Sequence, residues 1–370
     1  MSRRLTVVQL LPQLDVGGVE RGTVQIAQAL SAAGHRAIVV SAGGRLVPEL
    51  DACGAEHVRL AVGEKRLASL RHIGALRDYL RANQVDVVHA RSRLPAWLGH
   101  LALRGLDAAT RPAWVTTVHG PYSVNPYSRI MVSGERVIAI SDFIRSYITR
   151  NYPHVDGARI VVIPRGVDRA DYCYDFQPAA TWLAAWHAEH PALAGRALLI
   201  LPARLTRWKG QLDFIEVIAL LRKRGLAVHG LVAGAAHPRK HAFESELRAR
   251  VAALDLIADV SFLGQRNDLR ELLSIASIAC SLTTEPEAFG RTTIEALSVG
   301  TPVVGYDYGG TGEILRGLYP QGLVNKGDIT GAAARIAALL AAPQPVPREH
   351  PYTVEALQRA TLAVYRGVAR

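Results

Sequence analysis

Two glutamates, Glu287 and Glu295, stand eight positions apart in EPEAFGRTTIEALSVGTPVV, residues 285–304. Glu295 sits among Ile294, Ala296 and Leu297, in a segment patterned as a buried helix running into a buried strand. An ionised carboxylate taken out of water needs partners, because its desolvation is expensive. When ionised it only accepts hydrogen bonds, and it can take two hydroxyl hydrogens at once, as the vicinal hydroxyls of a ribose would offer. A neighbouring cation, or an exposed face near the helix dipole, would satisfy it equally well. Gly290, Arg291 and Thr292 would open the helix. Amides there have no intrahelical partner and can hold phosphate oxygens. Glu287 falls in the loop just before them.

Upstream, PARLTRWKGQLDF joins a strand to a helix, with Arg204 and Lys209 bracketing the turn and Arg207 as a solvent neighbour. Two cations at a helix start suit a diphosphate. His119, in TTVHGPYS, follows another strand and precedes Gly120 and Pro121. His89, in VVHARSR, is placed in the same way, and Arg91 and Arg93 after it either meet an anionic acceptor or are solvated. In DVGGVERG, Gly17 and Gly18 turn the chain into a helix. Glycines there let the backbone approach a ligand. Gly309-Gly310 repeats that device after a later strand. Neither a GxGxxG dinucleotide fingerprint nor a Walker A loop is present, which disfavours an NAD-linked oxidoreductase.

These residues need strands and helices to carry them. Continuous apolar runs at 5–11, 37–44, 85–90, 114–120, 136–141 and 160–166 read as parallel strands covered on both faces. Helical patterns at about 19–33, 67–82 and 142–151 separate some of them. The rhythm breaks at 171–196, which is richer in aromatics, Pro and Ala. It restarts with strands at 197–205, 228–235, 260–265 and 302–310 and helices at 209–224, 241–255 and 268–278, before a last helix at 354–369. This is the alternation of an α/β protein with two Rossmann-like halves. Ligands bind outside the carboxyl ends of such strands, where these candidate residues fall.

Length and composition agree: 370 residues exceed one ordinary core, and 49% apolar with 20% charged residues is globular. The net charge of +11 is uneven. Residues 1–165 hold 21 basic and 12 acidic side chains, and residues 166–370 hold 22 and 20. The basic first half suits an anionic partner. Nucleic acid is not expected, since no dense basic run is interleaved with aromatics. Cys53, Cys173 and Cys280 are scattered, without a CxxC pair, so neither a zinc site nor a disulfide framework is expected. A reducing cytoplasm fits. The N-terminal apolar run breaks at Pro12 and reads as a first strand, not a signal peptide. No apolar stretch is long enough to span a membrane.

Together the motifs resemble a retaining glycosyltransferase of the GT-B fold, in family four, over essentially the whole chain. The resemblance is carried by GGVE at 17–20, VHG at 118–120, VIPRGVD at 162–168, ARLTRWKG at 203–210, EAFGRTTIEALSVGTPVV and GGTGE at 309–313. It implies two Rossmann-like domains facing across a cleft. An acceptor domain would span 1–170, a nucleotide-sugar donor domain 171–352, and a helix at 353–370 would cross back onto the first domain. Glu295 then resembles the acid that holds the ribose, and Glu287 the one near the reacting carbon. Arg204 and Lys209 match the pair on the donor diphosphate, with Gly290, Arg291 and Thr292 on phosphate and sugar. His119 matches the histidine near the donor sugar, and Gly264, Gln265 and Arg266 fall where the nucleobase is cradled. Gly17 and Gly18 would border donor and acceptor. Arg165 departs from the usual Asn, and Ala288 from the usual Gly; Arg165 bears on contacts or donor choice rather than on the reaction.

The resemblance implies transfer of a hexose or N-acetylhexosamine from a nucleotide-diphosphate sugar to an acceptor hydroxyl with retention. No metal or other cofactor is expected, and no general base is assigned. The acceptor would be a glycan or lipid-linked glycan of the cell envelope, lipopolysaccharide in particular. The expected protein is a cytoplasmic monomer or weak oligomer, peripheral on an anionic inner-membrane surface. The alternative is a non-hydrolysing nucleotide-sugar epimerase of the same architecture. A non-catalytic binding protein is disfavoured by the presence of both acids and both cations.

Overall fold

The computed structural model describes residues 3–15, 17–63, 71–236 and 242–370. The chain forms two compact units, one of Met1–Arg165 with Val354–Arg370, the other of Gly166–Thr353. Each is a wholly parallel sheet with helical crossovers.

The first unit has seven strands: β1 (Thr6–Leu10), β2 (Arg36–Ser41), β3 (Glu56–Arg59), β4 (Val87–Ala90), β5 (Ala113–Val118), β6 (Arg136–Ala139) and β7 (Ile160–Val162). Their order is β3-β2-β1-β4-β5-β6-β7, so the winding reverses between β1 and β4. Val7, Val8 and Leu10 on β1 pair with both neighbours and are fully buried, which explains the unbroken apolar run. The last helix, Val354–Val368, lies against the helix Gly18–Ala32. It puts Leu357, Leu362 and Tyr365 into the same core as Leu5, Val24 and Leu30. The C-terminal segment therefore returns to the first unit.

The second unit has six strands: β8 (Ala197–Pro202), β9 (Val228–Ala233), β10 (Val260–Gly264), β11 (Ile278–Ser281), β12 (Val303–Tyr306) and β13 (Leu323–Val324), ordered β10-β9-β8-β11-β12-β13. Here the reversal lies between β8 and β11. The helical reading of 268–278 is corrected. The helix is Leu269–Ile275, and Ile278–Ser281 is a central strand. Four residues, IACS, are too few to show a period, and only pairing with β8 and β12 makes them a strand. Strands β3 and β13 were also silent in the sequence, being short edge strands. Residues 67–70 of the helix expected at 67–82, and residue 241 of that expected at 241–255, lie outside the described residues; the helices run Arg71–Ala82 and Ala242–Ala253. Among the described residues no helix is long and apolar enough to cross a membrane.

Candidate functional site

In the second unit the reversal point carries the charged residues. The chain leaves β8 through Arg204, makes a short 3-10 turn at Arg207–Lys209, and enters the helix Gln211–Lys223 through Gly210. Gly210 has φ +79 and is pressed against the backbone of Leu282, just after β11. A side chain would be strained there and would meet backbone that cannot swing aside. Thr284 N–H donates to Trp208 O at 2.9 Å, joining the loops after β8 and β11.

From the other side Gly310 N–H donates to Glu287 O at 2.7 Å. Gly309, at φ +58, packs on the backbone of Pro286 and Glu287. The loop bearing Glu287 is thus clamped between two glycine turns, and Lys209 forms a direct ion pair with Glu287. Both side chains are largely buried, 18% and 11% exposed. A pair so placed is strong in geometry and leaves a costly unpaired charge if one partner is removed. The Lys209 ammonium also lies 4.3 Å from the Trp208 ring centroid. Sequence reasoning passed over Trp208; an aromatic between two cations in a strand-to-helix turn was the available signal.

Gly290, with φ +85, is the N-cap of the helix Arg291–Ser298. Its Cα lies against Thr311, whose hydroxyl meets Ser281 Oγ at 3.1 Å. Glu295 is 4% exposed, and Arg291 Nε donates to its Oε1 at 2.7 Å. A neighbouring cation, one of the partners the sequence left open, is therefore present. Tyr172 lies nearby; burial first, and the Glu295 charge second, push its phenol up to about 12. Arg204 is exposed, and its carbonyl accepts from Gln211 Nε2 at 2.9 Å.

Gly264 ends β10, and Gln265 and Arg266 follow it. Gln265, Arg266, Asn267, Asp268 and Glu271 line a hollow of about 440 Å³. Arg266 grips Asp268 at 2.8 and 2.6 Å, and Trp182 Nε1–H donates to the same carboxylate at 2.9 Å. The Arg266 guanidinium is thereby tied down within the hollow's rim.

In the first unit Gly17 and Gly18 open the helix Gly18–Ala32; Gly17, with φ 170, is extended, and neither glycine is left-handed. Glu20 folds back over Gly17, while the space beside Gly18 is open. His119 follows β5 and accepts at Nδ1 from Arg165 Nη2, 2.7 Å away. Burial, then Arg165 and Arg91, hold its pKa well below the ordinary histidine value. The rival His89 is 1% exposed and sits between Tyr365 Oη and Thr117 Oγ1, each 2.6 Å away. It is a core histidine that fastens the last helix to the sheet. Arg91 is not solvated as one sequence reading had it. It is 3% exposed, donates to Gln9 Oε1 at 3.1 Å, and burial pushes its pKa down to about 10. Arg93 stacks over Tyr122 and Tyr127, 4.8 and 5.4 Å from their centroids.

Residues 16–171 match Glycosyltransferase Family 4, and residues 184–352 match Glycosyl transferases group 1. The alpha-maltose-1-phosphate synthase of Mycobacterium tuberculosis is 30% identical over 276 residues, 69% of each chain. The chain belongs to glycosyltransferase family 4. Within that family's reach, the phosphatidyl-myo-inositol mannosyltransferase of Mycolicibacterium smegmatis is 25% identical over 336 residues, 88% of this chain and 81% of its own. A glycosyltransferase from Rickettsia africae superposes with a TM-score of 0.86 at 27% identity over 99% of both chains. Anabaena HepE, solved in complex with UDP, gives 0.82 at 20% identity over 98% of this chain and all of its own. The two parallel-sheet domains are those of a GT-B glycosyltransferase.

Proposed function

We propose that this glycosyltransferase moves a hexose or N-acetylhexosamine from a nucleotide-diphosphate sugar to an acceptor hydroxyl, retaining the anomeric configuration. The observation that carries the reading is the Lys209–Glu287 pair held at the winding reversal of the second sheet, with the Gly290 helix start and the buried Glu295 following it. The HepE complex with UDP supports a nucleotide donor. Arg204, Lys209 and the amides at Gly290, Arg291 and Thr292 would stabilise charge gathering on the leaving diphosphate. Glu287 and His119 would meet the sugar, and Glu295 the ribose in exchange for, or together with, Arg291. Positive charge comes from side chains and a helix start, so transfer should persist in EDTA.

The acceptor we propose is a lipid-linked or envelope glycan, lipopolysaccharide among them, reached from an anionic membrane surface. The +9 balance of residues 1–165 supports it.

UDP-, GDP- and ADP-sugars are screened by binding, and the best donor is then followed by NMR with and without a simple glycoside acceptor. A new glycoside of unchanged anomeric configuration is expected. An inverted product sinks the retaining reading, and epimerised donor without acceptor replaces transfer with the epimerase.

A further inference from the structure

The loop that carries His119 is fixed on every side but one. Its backbone N–H points at Tyr122 Oη, 3.2 Å away, and the Tyr147 hydroxyl in turn donates to Tyr122 O. The ring is held at Nδ1 by the Arg165 guanidinium at 2.7 Å. A guanidinium carries five N–H donors and no acceptor. The nitrogen it faces must therefore offer a lone pair, which excludes both the imidazolium and the tautomer protonated at Nδ1. The proton of a neutral ring is then left on Nε2. That atom is buried and has no hydrogen-bond partner among the described residues. A buried N–H donor without a partner is costly, and a ligand oxygen is one way to complete it.

The geometry explains why the arginine can reach. Arg165 Nη1 and Arg91 Nη2 lie over Gly22, in the second turn of the helix Gly18–Ala32, where any Cβ would run into them. Gly22 is buried, so the slot it leaves is filled by guanidinium rather than by water.

We propose that Arg165 is a positioning residue that locks His119 as the neutral tautomer protonated on Nε2, so that the ring presents one N–H donor to an oxygen of the bound sugar. The direction of that hydrogen bond follows: the ligand atom must accept, as a hydroxyl or ring oxygen does. The identity of the ligand rests on the transferase reading; the tautomer does not. A neighbouring hydrogen bond setting which imidazole nitrogen is free is a common way to assign histidine its role.

The test uses the full chain labelled with ¹⁵N-histidine, observed by long-range ¹H–¹⁵N correlation at about pH 7.5, where an ordinary histidine is mostly neutral. The His119→Gln spectrum identifies the resonances of that ring. One pyrrole-type nitrogen at Nε2 and one pyridine-type nitrogen at Nδ1 are expected. A proton on Nδ1, or two pyrrole-type nitrogens, overturns the proposal without any turnover measurement. It can therefore fail while sugar transfer stands, and survive if transfer is not found. Arg165→Met should leave a mixture of tautomers and lower kcat roughly tenfold, the worth of one hydrogen bond, with a smaller change in KM for the donor. Arg165→Lys keeps a cationic donor and should restore the single tautomer and most of kcat. A single Nε2–H tautomer with undiminished kcat in Arg165→Met also overturns it. If that variant folds poorly, the wild-type spectrum decides alone.

Discussion

The two units present charge in opposite ways. In the second, each candidate acid already faces a cation: Glu287 has Lys209 and Glu295 has Arg291. In the first, the candidate cations meet neutral groups: Arg91 donates to Gln9 and Arg165 to His119. Arg91 and Arg165 share the slot over Gly22, and burial first, these arginines second, hold His89 and His119 well below the ordinary histidine value. The pairs make the second unit a preset frame in which a ligand must exchange or share existing partners. At the first unit's candidate site His119 Nε2 is a buried atom without a hydrogen-bond partner among the described residues, as are Gln211 Oε1 and Thr283 Oγ1 in the second. The difference teaches that the same fold can set the charge of a site by pairing acids with cations or by placing cations against neutral groups.

The comparison breaks most visibly at the acids. Glu287→Gln and Lys209→Ala are each expected to lower kcat/KM for the donor on the order of 10²-fold or more, as removal of a preorganised charge does. Glu295→Gln should also lower kcat/KM for the donor far more than Arg291→Ala, because the half-exposed Arg291 is not the sole partner of the buried Glu295. Equal losses from Glu295→Gln and Arg291→Ala would mean that Glu295 serves only its arginine.

A second contrast uses glycines. Gly210→Ala forces a positive φ and a backbone collision with Leu282. It should destabilise by about 1–3 kcal/mol, seen as a lower melting temperature and loss of donor binding. Gly22→Ala meets only side-chain tips and gains helix propensity, so its stability should stay within about 1 kcal/mol of wild type. What it should disturb is the Arg165–His119 bond, read from the histidine spectrum. Similar melting losses from both substitutions would erase the distinction between backbone and side-chain contacts.

The smallest effect concerns pH. His89, His119 and His229 have folded pKa values below their ordinary value, His229 at about 4, mainly from burial. The unfolded chain takes up these protons near pH 6.5 while the folded chain stays neutral, so their contribution is present above about 6.5 and is lost as pH falls. Thermal melts between pH 7.5 and 5 should show a declining midpoint. A flat or rising profile would contradict neutral burial of these rings.

Much of the architecture was legible in the residues. Nearly continuous apolar runs between helical patterns marked ten of the thirteen strands among the described residues. The three missed, β3, β11 and β13, do not stand out as apolar runs: EHVR is largely polar, IACS runs on from a helical pattern, and LV is two residues. The site residues were legible as motifs, with roles supplied by resemblance, but their partners were not. Nothing in VHARSR separates a buried Arg91 from a half-buried Arg93 stacked on tyrosines, because burial belongs to what packs on a residue from elsewhere in the chain.

By itself, then, the sequence determined the alternating fold, the existence of a last helix and the glycine and charge content of each turn, because these depend on local pattern. Tertiary structure decided who meets whom. Strand β11, inserted beside β8, brings the loop of Glu287 alongside that of Lys209 from 78 positions away. Arg165 reaches His119 across 46 residues, and His89 reaches Tyr365 across 276. Such pairings follow from strand order and from the space left by glycines, neither of which a single stretch of chain contains.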